Sequence, residues 1–316
     1  MERCSKHQPV LVAEVLAGLG PVAGGFYVDG TVGQGGHAAA ILRQSSPSGR
    51  LFGCDRDSQA IRAATARLAE FAGRFELRQG NYADLADWLP PASVDGALLD
   101  LGLSSDQLAG GEGFSFQLDS ELDMRLDPSQ SLTAAQWLNE ASADELARVF
   151  WELGDEPAAR RLARAIVRER QQRPITRTRQ LAGLVERVAP RGAQAIHPAT
   201  RVFLATRMHI NSEISALKRG LAAAWTLLKP GGRLAVISFH SGEHRVVKEF
   251  AARLARDYEV LGEVDVPALR RPRPPQARLL ARRAVRPGAA EVAANPRARS
   301  AQLRLVEKLA PGGTRP

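Results

Sequence analysis

Cysteine is nearly missing from this chain: its 316 residues contain Cys4 and Cys54 alone, at no metal-ligand spacing. A disulfide-stapled scaffold and a thiolate metal centre are therefore set aside, and a reducing, cytoplasmic setting is expected. Long apolar runs are missing too. The stretch Val10 to Leu19 is short and carries Glu14, so neither a signal peptide nor a membrane span is expected there. Internal repeats and long low-complexity tracts are absent. Lysine is scarce, 5 residues against 38 arginines. Codon usage in a GC-rich genome produces the same bias, so that ratio alone says little about partners.

What is present bounds the rest. With 44% hydrophobic and 24% charged residues, the chain reads as a soluble globular protein of about two domains. A net charge of +9 and a pI near 10.3 point to an anionic partner, nucleic acid ahead of membrane. A monomer and a homodimer are both compatible with this composition.

The most informative stretch is Phe26-Tyr-Val-Asp-Gly-Thr-Val-Gly-Gln-Gly-Gly-His37. An apolar run stops at Asp29, a glycine-dense turn follows, and Ala38 to Arg43 has good helix propensity. Strand, glycine turn and helix open a nucleotide-binding βαβ unit. Glycine lets the turn take positive φ and lets a ligand approach the main chain, while the helix aims unpaired N–H groups above it. Two cofactors fit. Gly33-x-Gly35-x-x-Ala38 matches the dinucleotide fingerprint, and Asp55 stands 20 residues beyond Gly35, where a ribose-binding acid belongs. Asp29-Gly-Thr-x-Gly-x-Gly resembles the first motif of class I methyltransferases, which hold S-adenosylmethionine above a similar turn. Both cofactors carry adenosine, so Asp55 serves either. Asp29 favours the methyltransferase, because a methionine ammonium needs a negative neighbour and a pyrophosphate does not.

Strands are expected at Phe26–Val28, Arg50–Asp55, Arg74–Arg78 and Val94–Asp100, with helices within His7–Leu19, Ala38–Arg43 and Asp57–Phe71. Such alternation argues for a parallel sheet with ligands at the strand carboxyl ends, where Asp29, Asp55 and Asp100 all stand. From Leu101 to about Ala216 the alternation stops. Helical patterns occupy Leu132–Leu138, Ala143–Trp151, Ala158–Arg170 and Arg179–Val188, and Pro198 opens a long helix through Asn211 toward Leu228. Strands resume at Gly232–Phe239, and a helix at about Glu243–Arg256 precedes strands at Tyr258–Val264 and Ala301–Glu307. The expected architecture is an α/β domain of residues 1–105 and 217–316, interrupted by an all-helical insertion, 106–216, that recognises the substrate. Between Val266 and Ala290 stand seven arginines and no acid, with Pro272, Pro274 and Pro275 among them. That run reads as an extended basic loop, either an RNA-binding arm or a solvated linker.

Eight phrases in order carry a family resemblance. The turn Asp29 to His37 is followed by Leu99-Asp-Leu-Gly-Leu-Ser-Ser-Asp-Gln107, Gly113-Phe-Ser-Phe116 and Leu122-Asp-Met-Arg-Leu-Asp127. Then come His197-Pro-Ala-Thr-Arg201, Asn211-Ser-Glu213, Ser238-Phe-His-Ser241 and Asn295-Pro-Arg-Ala-Arg-Ser300. Together, from His7 to Ser300, they closely resemble the bacterial small-subunit ribosomal RNA cytosine-N4 methyltransferase family of the MraW type. The resemblance implies a class I, Rossmann-like fold that binds S-adenosyl-L-methionine and carries a helical insertion. It implies a cytosine in the decoding region of the assembled small subunit's 16S RNA as substrate. It also implies that Gly35, Gly36 and His37 lie against the methionine part of the cofactor. Asp55 would take the ribose hydroxyls, Tyr82 would stand beside the adenine, and Asp100 and Gln107 would close the site near the reacting end. Tyr82 replaces the family's usual Phe and keeps a stacking face; Gly242 and His244 replace its usual Leu and Asp.

Physical chemistry gives Asp100 a catalytic task independently. Cytosine N4 is a poor nucleophile because its lone pair is delocalised into the ring. A carboxylate that accepts its N–H bonds encourages a tetrahedral nitrogen and takes up the excess proton, and in-line positioning supplies much of the rate. Amino-methyltransferases of DNA usually place Asp-Pro-Pro-Tyr here, whereas this chain has Asp100-Leu-Gly-Leu. Phe114, Phe116 and Phe239 are the candidates to stack on the base instead, with core packing as the alternative for each. His240-Ser-Gly-Glu-His244 spells the H-x-x-E-H of inverted zinc proteases, but Gly242 sits inside it and a strand ends at Phe239, so no metal is expected. His37 and His240 read instead as polar residues at the site edge.

Overall fold

In the computed structural model, described over residues 9–103, 107–108, 110–190 and 197–311, the chain divides into two compact units. One holds Leu103–Glu213; the other holds the described residues up to Gly102 and from Ile214 onward. Cys4, His7 and the Ser104-Ser-Asp106 part of the second family phrase lie outside the described residues.

The α/β unit begins with α1 (Val12–Leu19), β1 (Phe26–Asp29), α2 (Gly36–Gln44), β2 (Arg50–Asp55), α3 (Ser58–Arg67), β3 (Phe75–Gln79), α4 (Leu85–Trp88) and β4 (Val94–Asp100). Asp57 caps α3 by accepting the Gln59 N–H, and the helix expected to reach Phe71 tightens into a 3-10 turn over Ala69–Phe71. The run Val94-Asp-Gly-Ala-Leu-Leu is buried almost throughout, as a strand covered on both faces must be.

The helical unit contains α5 (Ala134–Glu140), α6 (Ala143–Glu152), α7 (Ala159–Gln172), α8 (Thr178–Val188) and α9 (Ala199–Ile210). Thr133 and Gln136 form a reciprocal capping box on α5, and Ser142 caps α6. Their apolar stripes meet in one core containing Trp137, Phe150, Leu162, Ile166, Leu181 and Phe203. The expected long helix from Pro198 is in fact two. Ser212 takes φ +50, and the side chain of Asn211, the C-cap residue, donates to the carbonyls of Met124 and Arg207 and accepts the Leu126 N–H. Those buried bonds replace the helical continuation.

The α/β unit resumes with α10 (Glu213–Leu227), β5 (Leu228–Ser238), α11 (Ser241–Ala255), β6 (Tyr258–Val260), β7 (Arg270–Pro272), β8 (Ala277–Leu279), α12 (Ala289–Ala294) and β9 (Gln302–Lys308). Seven strands form one sheet in the order β3-β2-β1-β4-β5-β9-β8, parallel from β3 to β5 and antiparallel at β9 and β8. Alternate residues feed opposite faces. Tyr27, Leu51, Leu98 and Ile237 pack with Ile41 and Leu42 of α2, while Val28, Phe52, Leu99 and Val236 pack with Leu217 and Leu221 of α10. This is the Rossmann-like α/β sheet with an inserted helical region that the sequence predicts. The basic run is not an extended loop, however. β7 pairs with β6 and β8 pairs with β9, because Arg270, Arg271 and Arg278 find carboxylates on Asp265, Glu259 and Glu307. The expected strand Tyr258–Val264 shortens to β6. No helix of the described residues is long and apolar enough to cross a membrane.

Candidate active site at the strand carboxyl ends

Strand order reverses between β1 and β4, which opens a crevice at their carboxyl ends. Asp29 stands at that point, opposite Gly53 on one side and Leu98 on the other. Its Oδ1 accepts the Thr31 N–H at 3.2 Å, whereas its Oδ2 is buried without a partner. Burial pushes the Asp29 carboxyl up to about 7, against the opposing pull of His37 and the Thr31 N–H.

The glycine turn is tied down by the next acid. Asp55 accepts the Gly33 N–H on one oxygen and the Asp57 N–H on the other, each at 3.0 Å. Burial still pushes its carboxyl up to about 6, because those bonds only partly offset the loss of water. Gly35, at φ +77, is the N-cap of α2 and brings no side chain to the first helical N–H groups. A Cβ there would sit 3.2 Å from Ala64 of α3, so the turn and helix pack too closely for a larger residue. Gly36 packs similarly close to Pro9.

His37, on the first turn of α2, is buried and points toward β4. Its Nε2 lies 3.4 Å from Asp100 Oδ2, an ion-pair distance without hydrogen-bond geometry, and its Nδ1 has no partner. Burial alone lowers the imidazole pKa, but Asp100, Asp29 and Glu291 outweigh it and raise it overall. Asp100 is held by its backbone, whose N–H donates to Thr31 Oγ1 at 2.6 Å, and its Oδ1 is buried and unpartnered. Thr31 stands in the glycine-turn motif, but its role, to seat a backbone group 69 residues away, is not legible there.

Tyr82 opens a 3-10 turn after β3, capped by Asn81. The Cδ2–Cε2 edge of its ring abuts Gly220 of α10, where any Cβ would overlap it, and Arg219 ties the same turn to α10 through Asp84 at 2.5 Å. The structure thus gathers Asp29, Gly35, Gly36, His37, Asp55, Tyr82 and Asp100 in the α/β unit, and Gln107 falls in the helical unit, half-buried.

Other sequence candidates are placed elsewhere. Phe114 is buried in the helical core, and Phe116 stacks on His197 and meets Phe203 edge-on. Phe239 packs beside Gly102 on the sheet core. His240 caps α11 and lies 3.2 Å from Glu243, while His244 turns to Ser238 Oγ at 2.7 Å, so the two imidazoles of the H-x-x-E-H phrase take different partners. Glu243, buried and accepting the Phe239 N–H, is a turn-stabilising acid, a role that the H-x-x-E-H spelling does not indicate.

Comparison with known proteins identifies the family. Residues 4–309 match the family described as the MraW methylase family. A ribosomal RNA small subunit methyltransferase H from Xanthomonas euvesicatoria is 48% identical over 312 residues, covering 97% of this chain and 90% of that protein. The protein of the same name from Thermomicrobium roseum is 49% identical over 311 residues, covering 97% and 95%. Among solved structures, an rRNA methylase from Streptococcus thermophilus aligns with a TM-score of 0.40 at 14% identity, over 95% of this chain and 93% of that one. A SAM-dependent O-methyltransferase from Thermotoga maritima aligns with a TM-score of 0.44 at 12% identity, over 99% and 71%. With a match over nearly its whole length and relatives close to half identical, the chain belongs to the MraW methylase family.

Proposed function

We infer that this protein is an S-adenosyl-L-methionine-dependent methyltransferase that methylates the N4 amine of a cytosine in the decoding region of small-subunit (16S) ribosomal RNA. The observation that carries the chemistry is Asp100. At the carboxyl end of β4 it offers a buried, unpartnered Oδ1 on a backbone fixed by Thr31.

The residues present fit the cofactor. Orphaned polar atoms on Asp29 and His37, a positive-φ Gly35 and a helix start without a side-chain cap are what a zwitterionic ligand would satisfy. When bound, S-adenosylmethionine supplies a methyl group activated by a sulfonium. Asp29 Oδ2 would face the ammonium of its methionine part, beside Gly35, Gly36 and His37. Asp55 would accept the ribose hydroxyls with the lone pairs its backbone bonds leave over. Tyr82, backed by Gly220, would cover the adenine. Asp100 Oδ1 would accept an N–H of cytosine N4, orient its lone pair and receive the proton that N4 sheds as it gains the methyl. His37 Nε2, 3.4 Å from Asp100 Oδ2, would leave Oδ1 as the oxygen that meets the amine. The dinucleotide alternative sets a pyrophosphate near Asp29, which repels it.

The substrate is proposed to be the assembled small subunit, met in the cytosol by a monomer or homodimer. Titration calorimetry with S-adenosylhomocysteine and with NADH tests the cofactor assignment. Binding of the first alone supports it, and binding of NADH alone refutes it.

A further inference from the structure

The arginines of this chain divide by what they face. In the basic run of the α/β unit, Arg270 pairs with Asp265 at 2.7 Å, Arg278 pairs with Glu307 at 2.8 Å, and Arg271 pairs with Glu259. Arg273 donates to the carbonyls of Tyr258 and Arg253. These side chains are committed to holding β6, β7 and β8 in place.

Helix α7 of the helical unit is different. Arg160, Arg161, Arg164 and Arg168 are all exposed, and none has a carboxylate partner among the described residues. The one acid on this helix, Glu169, is engaged by Arg187 of α8 at 3.2 Å. At 3.6 residues per turn the four arginines fall within an arc of about 100°, opposite the buried Leu162, Ala163 and Ile166. Arg160, Arg164 and Arg168 repeat at i, i+4, a spacing at which like charges destabilise a helix. A merely solvated face gains nothing from that repulsion; an anionic ligand removes it. The same helical hairpin presents Trp151 at the end of α6, 61% exposed and with no ring or cation partner among the described residues. Exposed indole and clustered guanidinium on one hairpin are the side-chain chemistries that hold unpaired bases and phosphates.

We propose that the α6–α7 hairpin grips ribosomal RNA, with the α7 arginine stripe on successive phosphates and Trp151 stacked on an unpaired base. This deepens the function inferred above and rests on it. The arginines repeat along α7 at a rise of about 6 Å per four residues, and each offers a planar fork suited to phosphate oxygens. An anionic membrane surface shares the attraction to arginine and tryptophan, but it gives no methylation of subunits.

The experiment measures binding of wild type and variants to small ribosomal subunits purified from cells lacking this protein, across a salt series. Thermal melting and S-adenosylhomocysteine affinity serve as fold controls. The triple substitution Arg160→Ala, Arg161→Ala, Arg164→Ala is expected to reduce the slope of log affinity against log salt by about 2 to 3 through lost counterion release. Trp151→Ala is expected to weaken binding about five- to a hundredfold with the slope unchanged. The triple substitution Arg270→Ala, Arg271→Ala, Arg273→Ala is expected to leave the slope as in wild type. If wild type methylates the subunits and the α7 triple variant keeps its slope, this proposal is overturned and the inferred function stands. The proposal is likewise overturned if the α7 variant loses binding only to phosphatidylglycerol vesicles. If wild type neither binds nor methylates subunits, both readings fall.

Discussion

Asp29 and Asp55 are carboxyls that folding makes harder to ionise, with values raised from 3.8 to about 7 and about 6. Groups raised in this way favour the ligand-free fold below pH 4, and that contribution is lost as pH climbs through 6 and 7. The ceiling on the loss is about 4 kcal/mol for Asp29 and about 3 for Asp55, from about 1.4 kcal/mol per pH unit. Ligand-free protein should therefore unfold more easily at pH 7.5 than at pH 5, as denaturant titration would measure. A cationic ligand beside Asp29 restores its charge, so cofactor binding at pH 6 should release protons. Calorimetry in buffers of different ionisation heat reads that release, and a buffer-independent enthalpy would remove Asp29 from the ammonium site. Asp55 has two duties, since it anchors the Gly33 and Asp57 N–H groups besides facing the crevice. Asp55→Ala should weaken cofactor binding about ten- to a hundredfold and also cost about 1–3 kcal/mol of stability. Unchanged cofactor affinity would sink the ribose assignment. The acids were legible in the sequence because each ends an apolar run; their backbone partners were not, because no local pattern encodes a hydrogen bond across the turn.

At the scale of elements, β1, β2 and β4 could be read directly because buried parallel strands are short apolar runs closed by an acid. The α9–α10 break could not. Apolar residues continue at helical spacing across Asn211 and Ser212, and the break depends on bonds to Met124 and Leu126, up to 87 residues away in sequence. Asn211→Ala leaves those buried groups unpaired and should cost about 2–4 kcal/mol by denaturant unfolding; a cost near zero would mean the helices part for another reason. The basic run misled for a related reason. Its acids lie outside it, at Glu259, Asp265 and Glu307, so its charge looked unopposed. Gly220 is a further element-level feature invisible to motif reading, because only the packed structure sets Tyr82 on it. Gly220→Ala should displace the Tyr82 ring and destabilise the fold by about 1–3 kcal/mol. Cofactor affinity should fall with it, while Gly183→Ala, on α8 where a Cβ would meet nothing nearer than the Arg187 side chain at 3.8 Å, should leave cofactor binding alone. Equal affinities for the two variants would show that Tyr82 does not cover the adenine.

For the whole molecule, a net charge of +9 says that an anion is favoured but not which arginines are free to meet it. The fold decides that by pairing some and leaving others open. Under the proposed function, the sheet order and the acids at its carboxyl edge would give the protein a place for a cationic methyl donor and a carboxylate for an amine proton. The family adds that the amine belongs to ribosomal RNA. Whether Asp100 serves methyl transfer to cytosine N4 in the small subunit is tested most directly by mass spectrometry of nucleosides from small-subunit RNA. The RNA would come from cells lacking the protein and from the same cells supplied with wild type or with Asp100→Asn at equal levels. An N4-methylated cytidine signal is predicted to disappear without the protein, return with wild type and stay at or near background with Asp100→Asn. An unchanged nucleoside profile in cells lacking the protein would contradict the function, and full restoration by Asp100→Asn would contradict the role of Asp100.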